Sequence, residues 1–221
     1  MQQIDQALTL FLNGSQSPFL DGVAWTATQT STWIPLIVLL LYVIIQGNNL
    51  RGVFYLIMGG AICILLADQV ASSLFKPLIE RWRPTHNPLI MYSVDIVNGY
   101  RGGNYGFFSS HAANTMSIAT LFAFIFRYKR LSFWLFSWVL LNCWSRVYLG
   151  VHYVGDILAG LIWGYIVGYG TYRLIICKNI GGNTPHTLEQ ISNYSIQNLH
   201  ILIGGFILTY AFVLLKALFF T

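Results

Sequence analysis

Charge is what this sequence has least of. Only 9% of its 221 residues are Asp, Glu, Lys or Arg, while 56% are hydrophobic. A soluble domain carries roughly 25% charged residues, so a water-facing surface of this size cannot be covered. Cysteine is scarce as well. Cys63, Cys143 and Cys177 are an odd number and lie in or at the ends of apolar runs, which argues against a disulfide framework. Their spacing resembles no zinc site. The start of the chain lacks a basic stretch, and Asp5 and Gln6 interrupt it, so it does not read as a secretory signal. There is no internal repeat and no low-complexity tract.

What is abundant is long apolar runs. A bilayer-spanning helix needs about 20 mostly apolar residues, and six segments are read as spans: 22–46, 51–75, 109–126, 131–149, 153–177 and 199–219. Residues 3–12 have apolar positions at helical spacing but are too few to cross, so they read as an interfacial helix. Asn13-Gly14-Ser15 ends that helix and Pro18 begins the next. Pro35 is expected to kink the first span. The fold class is therefore all-α, a polytopic membrane bundle of about six transmembrane helices plus an N-terminal interfacial helix. Residues 1–221 read as one membrane domain, with little left over for a soluble one.

Alternation puts the polar excursion 76–107 and the turn 146–153 on one side of the membrane. Loops 46–51, 127–130 and 178–198 fall on the other. Basic residues are nearly balanced between the sides until three are discounted as phosphate ligands. The second side then becomes cytoplasmic, and the first faces the periplasm or cell exterior.

Three clusters fall on that first side. One is the stretch from Lys76 to Arg83-Pro84. Arginine grips phosphate bidentately and lysine acts as a point charge. Arg81, within the same stretch, reads as a snorkelling juxtamembrane cation. The next cluster is Phe108-Ser109-Ser110-His111, opening the third span. Ser109 and Ser110 stand where a helix N-cap belongs, and free amides and the helix dipole there favour a phosphate. His111 is placed to protonate a leaving group. The last cluster joins Ser145-Arg146 to His152 and Asp156. His152 and Asp156, at i and i+4, share a helix face. A carboxylate accepting the Nδ1 proton leaves Nε2 free to attack and stabilises the charged ring afterwards. Each cluster has an ordinary structural explanation taken alone. Together, three cations, two histidines, two serines and a carboxylate converge on one end of a bundle. No cysteine or acidic cluster beside them offers a metal site, and no cofactor is expected. The set suits in-line phosphoryl transfer by positioning and charge neutralisation.

At this point the sequence resembles a known family, the type 2 phosphatidic acid phosphatases, whose signature is K-x6-R-P, P-S-G-H and S-R-x5-H-x3-D. Lys76 through Arg83-Pro84 matches the first part without a gap. Ser145-Arg146, His152 and Asp156 match the third. Ser109 and His111 match the second, with Phe108 in place of Pro and Ser110 in place of Gly. The resemblance covers roughly residues 60–175. It implies His152 as nucleophile, Asp156 as its orienting partner and His111 as general acid. It implies that Lys76, Arg83, Ser109, Arg146 and the backbone at Ser110 hold the phosphate, in a loop of altered shape. It also implies a phospholipid, polyprenyl diphosphate or lipid A substrate in the bilayer. An envelope lipid fits the compact architecture. Undecaprenyl diphosphate and lipid A phosphates rank together, ahead of phosphatidylglycerol phosphate and phosphatidic acid. Rival readings are phosphate transfer to another lipid acceptor, a vanadate-dependent haloperoxidase, or a non-catalytic lipid transporter or scaffold.

Other residues have plainer readings. Asp68, inside the second span, reads as a hydrogen-bonded contact between helices. Arg101, in a glycine-flanked loop before the Ser109 cap, is a candidate headgroup contact. His86 reads as a loop residue, and His186 and His200 lie toward the opposite side. Trp134, Trp138 and Trp163 read as packing and interface anchors. Gly155, Gly160, Gly164 and Gly168 read as a small-residue face for close helix contact.

Overall fold

The apolar runs fold as helices because a backbone in lipid must satisfy its polar groups internally. The computed structural model describes residues 2–179 and 194–220. Its helices are α1 (Gln2–Leu12), α2 (Pro18–Thr28), α3 (Ile34–Gly47), α4 (Leu50–Gln69), α5 (Lys76–Ile79), α6 (Ser110–Phe126), α7 (Lys129–Tyr148), α8 (Val154–Thr171), α9 (Cys177–Asn179) and α10 (Ile196–Leu218). Among the described residues, the one β pairing outside named strands is a bridge between Trp82 and Tyr105.

Helices occupy all six expected spans. Four stretches, Thr30–Gly47, Leu50–Ile79, Val154–Ile176 and Ile196–Leu218, are long and apolar enough to cross a membrane by themselves. Helix α6 is apolar but shorter. It packs against α4, α7 and α8, and most of its residues are buried, so other helices, not lipid, surround it. The first span differs from its expected form. The helix breaks at Gln29, a 3-10 turn follows over Thr30–Trp33, and Pro35 opens α3. Pro35 occupies a first-turn position, where its missing N–H costs nothing. The break is held by Thr32 Oγ1 and Trp33 Nε1, which donate to the carbonyls of Thr26 and Ala27 at 2.7 and 2.8 Å.

The small-residue face of α8 is real and determines where the two histidines sit. A Cβ on Gly160 would lie 2.6 Å from the Ser109 carbonyl oxygen, and those on Gly164 and Gly168 would meet the Ala113 and Ser117 carbonyls. Helices α6 and α8 therefore meet backbone to backbone, as small residues permit. Gly155 departs from this expectation. A side chain there would strike the Asp5 carboxylate of α1 at 2.6 Å, so it serves a different contact. The tryptophans pack as anticipated. Trp134 lies against Phe206 and Tyr210, Trp138 against Trp33, and Trp163 against Phe108. The cysteines are free thiols.

Candidate active site

Helix α4 does not end cleanly at the polar excursion. A π turn, Val70–Phe75, follows it and leads directly into Lys76 at the start of α5. Such turns shift the register of the residues beyond them and recur at functional sites. Lys76 Nζ donates to Ser72 Oγ at 3.1 Å and Ser110 Oγ at 3.4 Å, which joins the first cluster to the second. Asp68 is not the interhelix contact expected for it. It accepts from Ser72 Oγ at 3.5 Å within its own helix, one turn before Lys76 bonds the same hydroxyl.

The excursion folds back on itself and clasps the third cluster. Arg83 N donates to the Asn104 carbonyl at 3.0 Å and Gly106 N to the Arg81 carbonyl at 2.9 Å. Thr85 N reaches the Gly150 carbonyl at 3.3 Å, and Ser109 N reaches the Asp156 carbonyl at 3.1 Å. Gly106 lies so close over the site that a Cβ would sit 3.0 Å from Asp156 Oδ2 and 3.5 Å from His152 Nδ1.

Ser109 is the N-cap of α6, accepting from Ala112 N at 3.4 Å. It is fully buried, and while its oxygen caps the helix its O–H is still a donor. The amides that follow are among those an α-helix leaves without an internal partner. Phe108, in the place of the family's proline, is buried against Phe75 and Trp163 with ring centroids 5.2 and 6.5 Å away. Aromatic packing thus holds the loop for which the sequence change implies an altered shape.

His152 and Asp156 are 1% and 0% exposed. Arg83 Nη1 lies 3.3 Å from His152 Nε2 and also donates to the Val151 carbonyl at 3.0 Å. A guanidinium has no acceptor, so Nε2 carries the lone pair and Nδ1 the proton. That is the tautomer expected from the sequence, favoured here by the contact with Arg83. Asp156 Oδ2 lies 3.5 Å from His152 Nδ1, in ion-pair range but without a formed hydrogen bond. Burial, then the charges of Arg83, Arg146 and Lys76, push His152 well below its ordinary 6.5. Burial, then Arg146, lowers Arg83 to about 10.

Arg146 is buried at the end of α7. It donates to Thr28 Oγ1 at 2.5 Å and to the Tyr100 hydroxyl at 3.1 Å, while its Nε has no partner. Lys76, Arg83, Arg146 and His152 all lie within electrostatic reach of His111. Among the described residues the ion pairs are Arg81 with Asp5, Arg81 with Asp156, and His152 with Asp156. None of these pairs includes Lys76, Arg83 or Arg146. Assembling like charges in low dielectric is costly unless a counter-charge arrives, so the arrangement suits an anion. Beside it is a cavity of about 450 Å³, with Thr28, Asp68, Ser110 and His111 at its polar end and apolar residues such as Leu36 and Phe122 lining the rest.

Arg81 corrects the sequence reading. It does not snorkel into solvent. Its two terminal nitrogens bridge Asp5 and Asp156 at 2.6 and 2.7 Å, and it stacks 4.1 Å from the Tyr153 ring. Arg101 is exposed and belongs to a staple, donating to the Thr85 carbonyl at 3.2 Å while Thr85 Oγ1 donates to its own carbonyl at 2.8 Å. His86 lies in the loop and bonds Thr85. His200 is far from the site, paired with Tyr128, and His186 falls outside the described residues. Thr28, Tyr100 and Asp5 were not singled out in the sequence. Of these, only Tyr100 had a signal, being next to Arg101 in the glycine-flanked loop.

The fold and site together define a multi-pass helical membrane protein with a buried, positively charged pocket around a histidine. The family model described as the PAP2 superfamily matches residues 53–179. A lipid A 4'-phosphatase from Porphyromonas gingivalis is 36% identical over 209 residues, covering 93% of this chain and 89% of the relative. A lipid A 4'-phosphatase from Bacteroides thetaiotaomicron is 38% identical over 189 residues, covering 84% of each. The fold is similar to the crystal structure of a transmembrane PAP2-type phosphatidylglycerolphosphate phosphatase from Bacillus subtilis, with a TM-score of 0.58 and 24% identity, covering 78% of this chain and 85% of that one. The chain belongs to the PAP2 superfamily. It is an integral membrane phosphatase.

Proposed function

We propose that this phosphatase removes a phosphate monoester from lipid A through a phosphohistidine on His152. The observation that carries the mechanism is the set of cations around His152, Lys76, Arg83 and Arg146, that have no carboxylate partner among the described residues. A bound phosphate supplies the missing negative charge. Its oxygens take the donors that Arg83 now directs at Nε2, and the freed lone pair faces phosphorus. Nε2 attacks in line, the bond to the lipid oxygen breaks, and His111 donates a proton to that oxygen. Asp156 stabilises the imidazolium that forms. Water then attacks phosphorus, His111 takes its proton, and His152 is restored as phosphate leaves. Most of the rate comes from positioning and preorganised charge.

The two lipid A 4'-phosphatase relatives support lipid A ahead of undecaprenyl diphosphate, phosphatidylglycerol phosphate or phosphatidic acid. The apolar cavity that runs from His111 into the bundle supports a lipid over a soluble ester. In this reading the core at 60–175 and its flanking helices work as one domain in the bacterial inner membrane, with the site facing the periplasm.

The test is phosphate release from lipid A, undecaprenyl diphosphate and phosphatidylglycerol phosphate by purified protein in detergent, with His152→Ala beside wild type. Release from lipid A that disappears in His152→Ala, together with a trapped acid-labile phosphohistidine, is the expected result. Release from none of these lipids defeats the proposal, and full turnover by His152→Ala defeats the mechanism.

A further inference from the structure

Helix α1 has two unlike faces. Ile4, Leu8, Phe11 and Leu12 are exposed and follow one another at helical spacing, as in a helix lying at a lipid interface. Its other face carries Asp5 and Thr9, and neither points to solvent. Thr9 is fully buried and accepts from Val154 N at 3.2 Å, and Asp5 Oδ1 accepts from Gly155 N at 2.9 Å. These are first-turn amides of α8, which have no partner inside their own helix. A distant segment of chain therefore caps the helix that carries Asp156. The absence of a side chain at Gly155 lets the Asp5 carboxylate approach this closely.

The second oxygen of Asp5 continues the connection. Oδ2 accepts from Arg81 Nη2 at 2.6 Å, and Arg81 Nη1 donates to Asp156 Oδ1 at 2.7 Å. The remaining oxygen, Asp156 Oδ2, accepts from Tyr153 N at 3.0 Å and faces His152 Nδ1 at 3.5 Å. A line of charged hydrogen bonds thus runs from the interfacial helix to Asp156, whose Oδ2 lies in ion-pair range of the histidine. Its charge balance matters. Arg81 alone would neutralise Asp156 and weaken its hold on an imidazolium. Asp5 neutralises Arg81, and the trio of Asp5, Arg81 and Asp156 keeps one net negative charge next to His152.

We propose that Asp5 and Arg81 are positioning residues of the phosphatase reaction, fixing the geometry and net charge of Asp156 from helix α1. The proposal rests on His152 being the nucleophile. Neither residue touches substrate, so the effect falls on the chemical step and leaves binding alone. Removing one charged hydrogen bond in the line lowers kcat about tenfold with KM within about twofold.

The test measures kcat and KM for phosphate release from lipid A in detergent micelles, well below each variant's unfolding midpoint. The variants are Asp5→Asn, Asp5→Glu, Arg81→Gln, the Asp5→Asn/Arg81→Gln pair and His152→Ala. Asp5→Asn is expected to lose kcat and Asp5→Glu to recover most of it. The pair should be no slower than Arg81→Gln alone, since residues in one line act as a unit. Wild-type kcat in Asp5→Asn while His152→Ala is inactive overturns the relay alone, as does a loss confined to KM or two losses that simply multiply. Turnover that survives in His152→Ala, or is absent from wild type, overturns the underlying reading and the relay with it.

Discussion

Replacing Arg83 by Gln separates two roles proposed for this arginine: gripping phosphate and keeping His152 unprotonated. Gln preserves much of the shape and one donor but removes the charge. The guanidinium nitrogen is 3.3 Å from Nε2, and its charge is centred slightly further away. At about 4 Å and an effective dielectric of about 20, two unit charges interact by about 4 kcal/mol, so the repulsion is strong. Repulsion by Arg83 lowers the His152 pKa, so its removal raises it. Burial, the larger cause, and the charges of Arg146 and Lys76 remain in the variant and still hold His152 down, but less than in wild type. The assay is the pH profile of kcat/KM, which reports the free enzyme. A phosphate monoester itself ionises near pH 6, but that limb is common to both enzymes and cancels in the comparison. Wild type should therefore show only the substrate limb on the acid side. Arg83→Gln should show a steeper acid limb displaced to higher pH, on top of a fall of about 10²- to 10³-fold at the optimum from lost charge stabilisation. Coincident acid limbs, or a limb displaced downward, would refute the argument that Arg83 holds His152 neutral.

Three other outcomes test other parts of the site. His111→Ala should slow release from lipid A by about 10²- to 10⁴-fold but slow p-nitrophenyl phosphate much less, since that leaving group needs no proton. Equal losses on both would remove His111 from the acid role. Gly160→Ala places a Cβ 2.6 Å from the Ser109 carbonyl, which must push α6 and α8 apart. The expected cost is about 1–3 kcal/mol, read as a lower unfolding midpoint in detergent together with reduced kcat. Ser109→Ala removes the α6 cap and should cost about 1 kcal/mol of stability. Its activity should fall far less than that of His152→Ala, because the Ser109 hydroxyl is bonded to Ala112 N.

The bundle was readable because lipid leaves few options. Each long apolar run had to become a helix, and three motifs of fixed spacing had to share one end. The pairing of His152 with Asp156 was also readable from their i, i+4 spacing. The break at Gln29 was only hinted at by the polar run over 26–32, because the side-chain bonds of Thr32 and Trp33 that hold it cannot be read from composition. The capping of α6 by Ser109 was half visible, since a serine before an apolar run caps as readily as it binds phosphate. Arg81 was misread for a related reason. A basic residue at a membrane edge snorkels unless a carboxylate waits nearby, and Asp5 is 76 residues away in the chain.

The error over Arg81 bears on how such a site holds together. Lys76, Arg83 and Arg146 must stay close while the pocket is empty, although each repels the others. Nothing in their own side chains accomplishes this. Arg83 is held by carbonyls of Tyr105 and Val151, Arg146 by the hydroxyls of Thr28 and Tyr100, and Lys76 by those of Ser72 and Ser110. All of these acceptors are neutral dipoles. They orient a cation without cancelling its charge, so the positive potential remains available to phosphate. Arg81 is the exception, fully paired between two carboxylates, and for that reason it suits a structural place in the line to His152 and not a place in the phosphate grip. Among the four basic residues from Lys76 to Arg146 that gather here, the kind of partner each one has, dipole or carboxylate, separates the cations proposed to face substrate from the one that holds Asp156.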